Sequence, residues 1–201
     1  YNLSMDIERR NAEGITPVLP VLAELDAVTD KDQWSAALGK AMDYGLWAMY
    51  VDADAMNSSM NILNEYQAGF ALSEKSYYFD QDEHTTHIRA EYLKHVEKMF
   101  TLFGMDNAAE KAQTVLRLET RLAGAALSNV ELRDPVANYN KMSIDELQVL
   151  VPQVDWAAYF AGLNIAPDSL SVGQVRHLQE AGKMLAEESI EDMKTLFQWQ
   201  I

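Results

Sequence analysis

Cysteine is absent from the 201 residues, which excludes a disulfide framework, a thiol nucleophile and a thiolate metal site. The redox compartment stays open, because a chain without thiols suits either. Proline (5) and glycine (9) are scarce, so turn punctuation is sparse and long helices are favoured over a many-stranded β fold. Positive charge is in deficit. Sixteen Lys and Arg against 31 Asp and Glu leave a net charge of −15, a surface that repels duplex nucleic acid and anionic membrane. It fits simple solubility and basic partners equally. No apolar run approaches the roughly 18 residues of a membrane span, and no signal peptide is recognisable. HExxH, GxSxG, GxGxxG and a phosphate-binding loop are all missing, and with them the site chemistry each would carry.

What is present reads as a packed helical protein, 48% hydrophobic. TPVLPVLAELDAV (16–28) predicts a short helix with Thr16 as N-cap and Pro17 at its first position. In 30–50, Asp30 and Gln33 have capping-box spacing, and Trp34, Leu38, Met42, Gly45, Leu46 and Met49 form one helical stripe. Residues 51–79 are the least helical. Residues 84–103 predict a long helix with Ile88, Tyr92, Val96, Met99, Phe100 and Phe103 on one face, ended by Gly104. Asn107 and Glu110 open another by capping-box spacing, with the stripe Ala112, Val115, Leu116, Leu122, Ala123 and Ala126. Shorter helices start at Ser143, which forms a capping box with Glu146, and at Asp155. A longer one starts near 171 and a last one at Ser189. We expect an all-α, multi-helix irregular bundle with long amphipathic helices, with room for one small β-hairpin around residues 51–72. The chain begins at Tyr1, not Met, and ends in MKTLFQWQI with helical spacing and no stop. Leu196, Phe197 and Ile201 thus predict a missing partner surface, and the chain reads as a piece of a larger protein without an internal domain boundary.

Candidate chemistry is thin. His84 and His87 are three apart, with Glu83 and Glu91 near, a pattern that a helix places on one face. The plainer reading is a solvated first turn. His95 and His177 have no partner in sequence and read as packing residues. Glu119 is more informative. It lies on the apolar stripe, where a carboxylate has to be paired. We read it as the ion-pair partner of Arg133, in preference to a buried general base with a raised pKa.

The stretch RDPVANYNKMS (133–143) places Arg133–Asp134–Pro135 and Tyr139–Asn140–Lys141–Met142–Ser143 after Leu118–Glu119. In that order these motifs resemble the non-catalytic part of the neprilysin family of zinc metallopeptidases. GFALSEKSYYF, with Tyr77 and Tyr78, is similar to that family's tyrosine-pair segment, and YVDADAMNSSMNILNEYQAG to its D-x-x-N and Q-x-G segment. SIEDMKTLFQWQI, with Trp199, is similar to its tryptophan helix. NLSMD puts Ser4 where animal members carry a disulfide cysteine, and with no cysteine at all the chain resembles a bacterial member.

The resemblance covers nearly the whole chain and implies that residues 1–201 are one helical piece from the N-terminal part of a zinc metalloendopeptidase. The family's HExxH, its downstream glutamate ligand and its Asn-Ala motif belong to a later part of such a sequence. No catalytic, cofactor-binding or metal-binding residue is therefore carried over, and RDPVANYNKMS reads as a joint. Zinc and peptide substrates are implied for the parent, with the catalytic lobe as this chain's partner; the compartment stays open, the envelope or the exterior being favoured over the cytoplasm. A stand-alone helical interaction module is the alternative. A helix-bundle metal carrier using Glu83, His84, His87 and Glu91 is a second.

Overall fold

The computed structural model describes residues 5–41 and 44–201. Met42 of the expected stripe and Ser4 lie outside them. In chain order come α1 (Ile7–Glu13), α2 (Leu19–Asp26), α3 (Trp34–Lys40), β1 (Trp47–Asp54), β2 (Asn57–Gln67), α4 (Ser76–Phe79), α5 (Glu83–Leu102) and α6 (Ala108–Ala125). Then follow β3 (Lys141–Ser143), α7 (Ile144–Leu150), α8 (Trp156–Gly162), β4 (Ser169–Val172), α9 (Val175–Glu187) and α10 (Ile190–Gln200).

Helix α6 is the axis of the molecule. Ala112, Val115, Leu118, Glu119, Leu122 and Ala123 are buried along it, and α5, α9 and α10 all pack against it. Polar ties reinforce two of these contacts. Arg117 reaches Glu188 and Asp192, while Arg121 reaches Glu180, Glu187 and Glu188. At the other end α3 crosses α8 closely. A Cβ on Gly39 would lie 2.1 Å from the Tyr159 carbonyl oxygen, so only glycine fits there. Leu196 and Phe197 are fully buried, and Phe197 meets Trp34 edge-on at 5.1 Å. Ile201 packs against the same core. Leu196 and Phe197 thus find their partners within the chain, while Ile201 is half-buried.

The fold is not all-α. A four-stranded mixed sheet runs in the order β1-β2-β4-β3. β1 and β2 pair antiparallel from Trp47↔Gln67 to Asp54↔Asn57. β2 runs parallel to β4 through Leu63↔Leu170, and β3 pairs antiparallel with β4 through Met142↔Leu170. The expected hairpin exists but starts four residues earlier and belongs to a larger sheet. The helix expected over 30–50 ends at Lys40, and 47–54 is instead a strand with a long partner in 57–67. The helix expected from 171 starts at Val175, since Ser169–Val172 completes the sheet. Four-residue strands carry too little period to be told from a helix start.

Capping explains the helix starts that were legible. Asp30 with Gln33 and Ser143 with Glu146 form reciprocal capping boxes, while Asp155 and Ser189 accept from the amides of Ala158 and Asp192. Two caps differ. Thr16 opens only a 3-10 turn (Thr16–Val18), and α2 starts at Leu19 with Pro20 in its first turn. Asn107 is left-handed, φ 57°, and makes no side-chain cap bond to Glu110 or elsewhere in α6.

Candidate functional site

RDPVANYNKMS ties the sheet together. Asp134 Oδ1 accepts from the amides of Val136 and Ala137, both 3.0 Å away, turning the chain after the Arg133 corner. The Asn140 amide side chain donates to the Val172 carbonyl in β4 at 2.9 Å. Asp54, 2% exposed, accepts from the Tyr139 hydroxyl (2.7 Å) and pairs with Lys141 Nζ (2.9 Å), which anchors the far end of the hairpin. The bonds from Lys141, Tyr139 and the Met56 amide hold the Asp54 carboxyl down at about 2. The stretch is a joint, as its sequence implied.

Glu119 is buried, 1% exposed, but does not meet Arg133. Its partners are neutral. The Tyr78 hydroxyl donates to Oε2 at 2.9 Å, the Tyr92 hydroxyl to both oxygens at 2.8 and 2.9 Å, and the Ala71 amide to Oε1 at 3.2 Å. Burial pushes the carboxyl up to about 7, against the opposing pull of Tyr92, Tyr78 and Ala71. The expected ion pair is therefore a hydrogen-bonded node. Arg133 lost to tyrosines because their hydroxyls can follow their rings into the core, whereas a guanidinium buried there would need full pairing.

The node pins an irregular strap, residues 67–72, that follows β2. Tyr78 accepts from the Leu72 amide at 2.9 Å while donating to Glu119. Gln174 Oε1 accepts from the Gln67 amide at 2.7 Å. His177 Nε2 lies 3.0 Å from the Ala68 carbonyl, and burial lowers that imidazole to about 4, so it is neutral and donates. Gly69 has φ +87°, and a Cβ there would lie 2.7 Å from Leu122 and 2.9 Å from the Leu46 backbone.

The strap forms one side of a cleft of about 630 Å³. Tyr44, Trp47, Phe70, Tyr159 and Trp199 give it aromatic walls, with Glu119 at its base. Its size and apolar lining suit a ligand side chain. Glu119 is the one residue of this cleft singled out by its chemistry in the sequence. Trp47, Tyr159 and Tyr44 were missed, since no motif or stripe in the sequence marked them. Tyr92 carried a usable signal: a buried tyrosine hydroxyl seeks an acceptor.

His84, His87, Glu83 and Glu91 are exposed on the first turns of α5, and Glu91 pairs with Lys94 at 2.7 Å. Among the described residues no three acidic or histidine side chains gather in a way that could hold a metal ion. His95 lies against Trp199, ring centroids 5.8 Å apart.

Comparison with known proteins places this geometry in context. A family model described as Peptidase family M13 matches residues 1–201. Endothelin-converting enzyme-like 1 of Mus musculus is 34% identical over 113 residues, 55% of this chain and 15% of that protein. Endothelin-converting enzyme 1 of Rattus norvegicus is 29% identical over 116 residues, 56% of this chain and 15% of that protein. The crystal structure of Mycobacterium tuberculosis zinc metalloprotease ZMP1 in complex with inhibitor superposes with a TM-score of 0.90 at 30% identity. That match covers 98% of this chain and 31% of that one. The chain thus spans only a minor share of the length of these proteins.

Proposed function

The chain belongs to peptidase family M13, as its N-terminal region, and from that premise we propose that it is the non-catalytic wall of a zinc endopeptidase. The parent would cleave peptides by a metal-activated water, and this region would enclose the substrate and limit its size. The observation that carries the reading is the pinned strap beside an aromatic cleft. Such a surface is preformed for contact with a side chain and offers no nucleophile. Glu119 has no role in the chemistry, because its oxygens are already engaged by Tyr78, Tyr92 and Ala71.

The residues present do not fit the family's zinc. Glu83, His84, His87 and Glu91 do not converge, so the metal would be held by the rest of the parent, and no step is assigned to it on this chain. The test is to prepare residues 1–201, the remainder of the parent and the intact parent, then measure zinc content and cleavage of a short peptide. Zinc and cleavage are expected in the intact parent and neither in residues 1–201. One zinc per chain in residues 1–201, with cleavage, would overturn the reading.

A further inference from the structure

The sheet has two outer strands among the described residues, the three-residue β3 and the eight-residue β1. β1 is the long one, and one row of its amides and carbonyls has no strand partner. Soluble proteins commonly blunt such edges with lysine or proline. β1 reads WAMYVDAD and has neither. Indeed no Lys or Arg occurs anywhere between residues 41 and 74. A bulge between Ala53 and Asp54 interrupts only its far end.

Where β1 begins, its edge meets the aromatic cleft. Trp47, Ala48 and Met49 are consecutive, and all three line it. Successive side chains leave a strand on opposite faces, so a cavity that touches all three meets the strand edge-on. Gly69 and Phe70 of the strap also border the cleft, and their amides have no hydrogen-bond partner among the described residues.

We infer that the cleft and the β1 edge together bind an extended peptide segment that carries positive charge and one bulky apolar side chain. The peptide backbone adds to β1 as a further strand, and the side chain enters the cleft between Trp47, Tyr159 and Trp199. The charge preference follows from the exposed Asp52 on β1 and from the lining of the cleft, which holds Glu119 and no Lys or Arg. A peptide cation over the aromatic walls gains a further attraction. The inference rests on the reading that this chain encloses peptide substrates, and it names what the wall grips.

The test uses the intact parent and short labelled peptides of equal length with non-hydrolysable bonds. One has Phe flanked by Lys, one Phe flanked by Glu, and one Ala flanked by Lys. Fluorescence anisotropy is expected to show the first binding at least about tenfold tighter than either other. Ala48→Lys, which puts a gatekeeper cation on the edge, should abolish that ranking, and Asp52→Lys should weaken it if the first variant folds poorly. Equal binding of all three peptides overturns the inference, as does a ranking untouched by both variants. Hydrolysable versions are assayed in parallel. Cleavage without ranking sinks this site and leaves the peptidase reading standing. Ranked binding without cleavage does the reverse.

Discussion

At the scale of single residues, buried carboxyls set the pH response. Burial raises Glu65 to about 8 and Glu119 to about 7, both from 4.5. An acid whose folded pKa is raised holds its proton more tightly in the native state. Its stabilisation is complete below about 4.5 and lost as pH rises through the folded value. His177, lowered from 6.5 to about 4, acts in the opposite sense and gains stability as pH rises to 6.5. Above pH 6.5 only the carboxyls still act, so stability should fall towards pH 8. Glu65→Gln should flatten that decline in thermal melts, and an unchanged slope would show that Glu65 does not titrate there. Glu119→Ala would orphan the Tyr78 and Tyr92 hydroxyls and should cost about 1–3 kcal/mol in urea unfolding. Arg133→Ala should cost under about 0.5 kcal/mol, and equal losses would restore the ion pair. That Glu119 needed a partner was legible from its stripe. Which partner was not, because Tyr92 and Tyr78 reach it from helices that only the fold brings near.

At the scale of elements, what was legible had a local cause. The capped helices could be read because a cap is a contact within four residues. The β1–β2 hairpin was partly legible, but β3 and β4 were not, because each is defined by a partner elsewhere: β4 pairs with β2, more than 100 residues earlier in sequence. The α3–α8 crossing was invisible for the same reason. Gly39→Ala forces a Cβ into the Tyr159 carbonyl and should cost about 1–3 kcal/mol through overpacking. A change within about 0.5 kcal/mol would mean the helices separate freely. Tyr139→Phe combined with Lys141→Met removes both side-chain partners of Asp54. Amide exchange should then quicken in the far half of β1 and β2 while α6 is unaffected. Uniform exchange throughout would show that the joint does not hold the hairpin.

At the scale of the whole molecule, α4, α5, α9 and α10 pack on α6, and the aromatic cleft lies where strap, hairpin and helices meet. The family resemblance was readable because its motifs sit at these junctions: Glu119 on the axis, RDP and YNKMS at the sheet joint, Tyr78 on the node and Trp199 on the cleft. The cleft itself was not readable, since its walls come from five separate elements. The central claim, that this region encloses substrate and limits its size, is tested most directly by one ratio. It is kcat/KM for a short peptide over that for a folded protein containing the same cleavage sequence. The ratio is measured for the intact parent and for the parent lacking residues 1–201, with circular dichroism to confirm that the remainder is folded. The account predicts that the ratio falls at least about tenfold when the wall is removed. A folded, active remainder with the same ratio as the intact parent would contradict it.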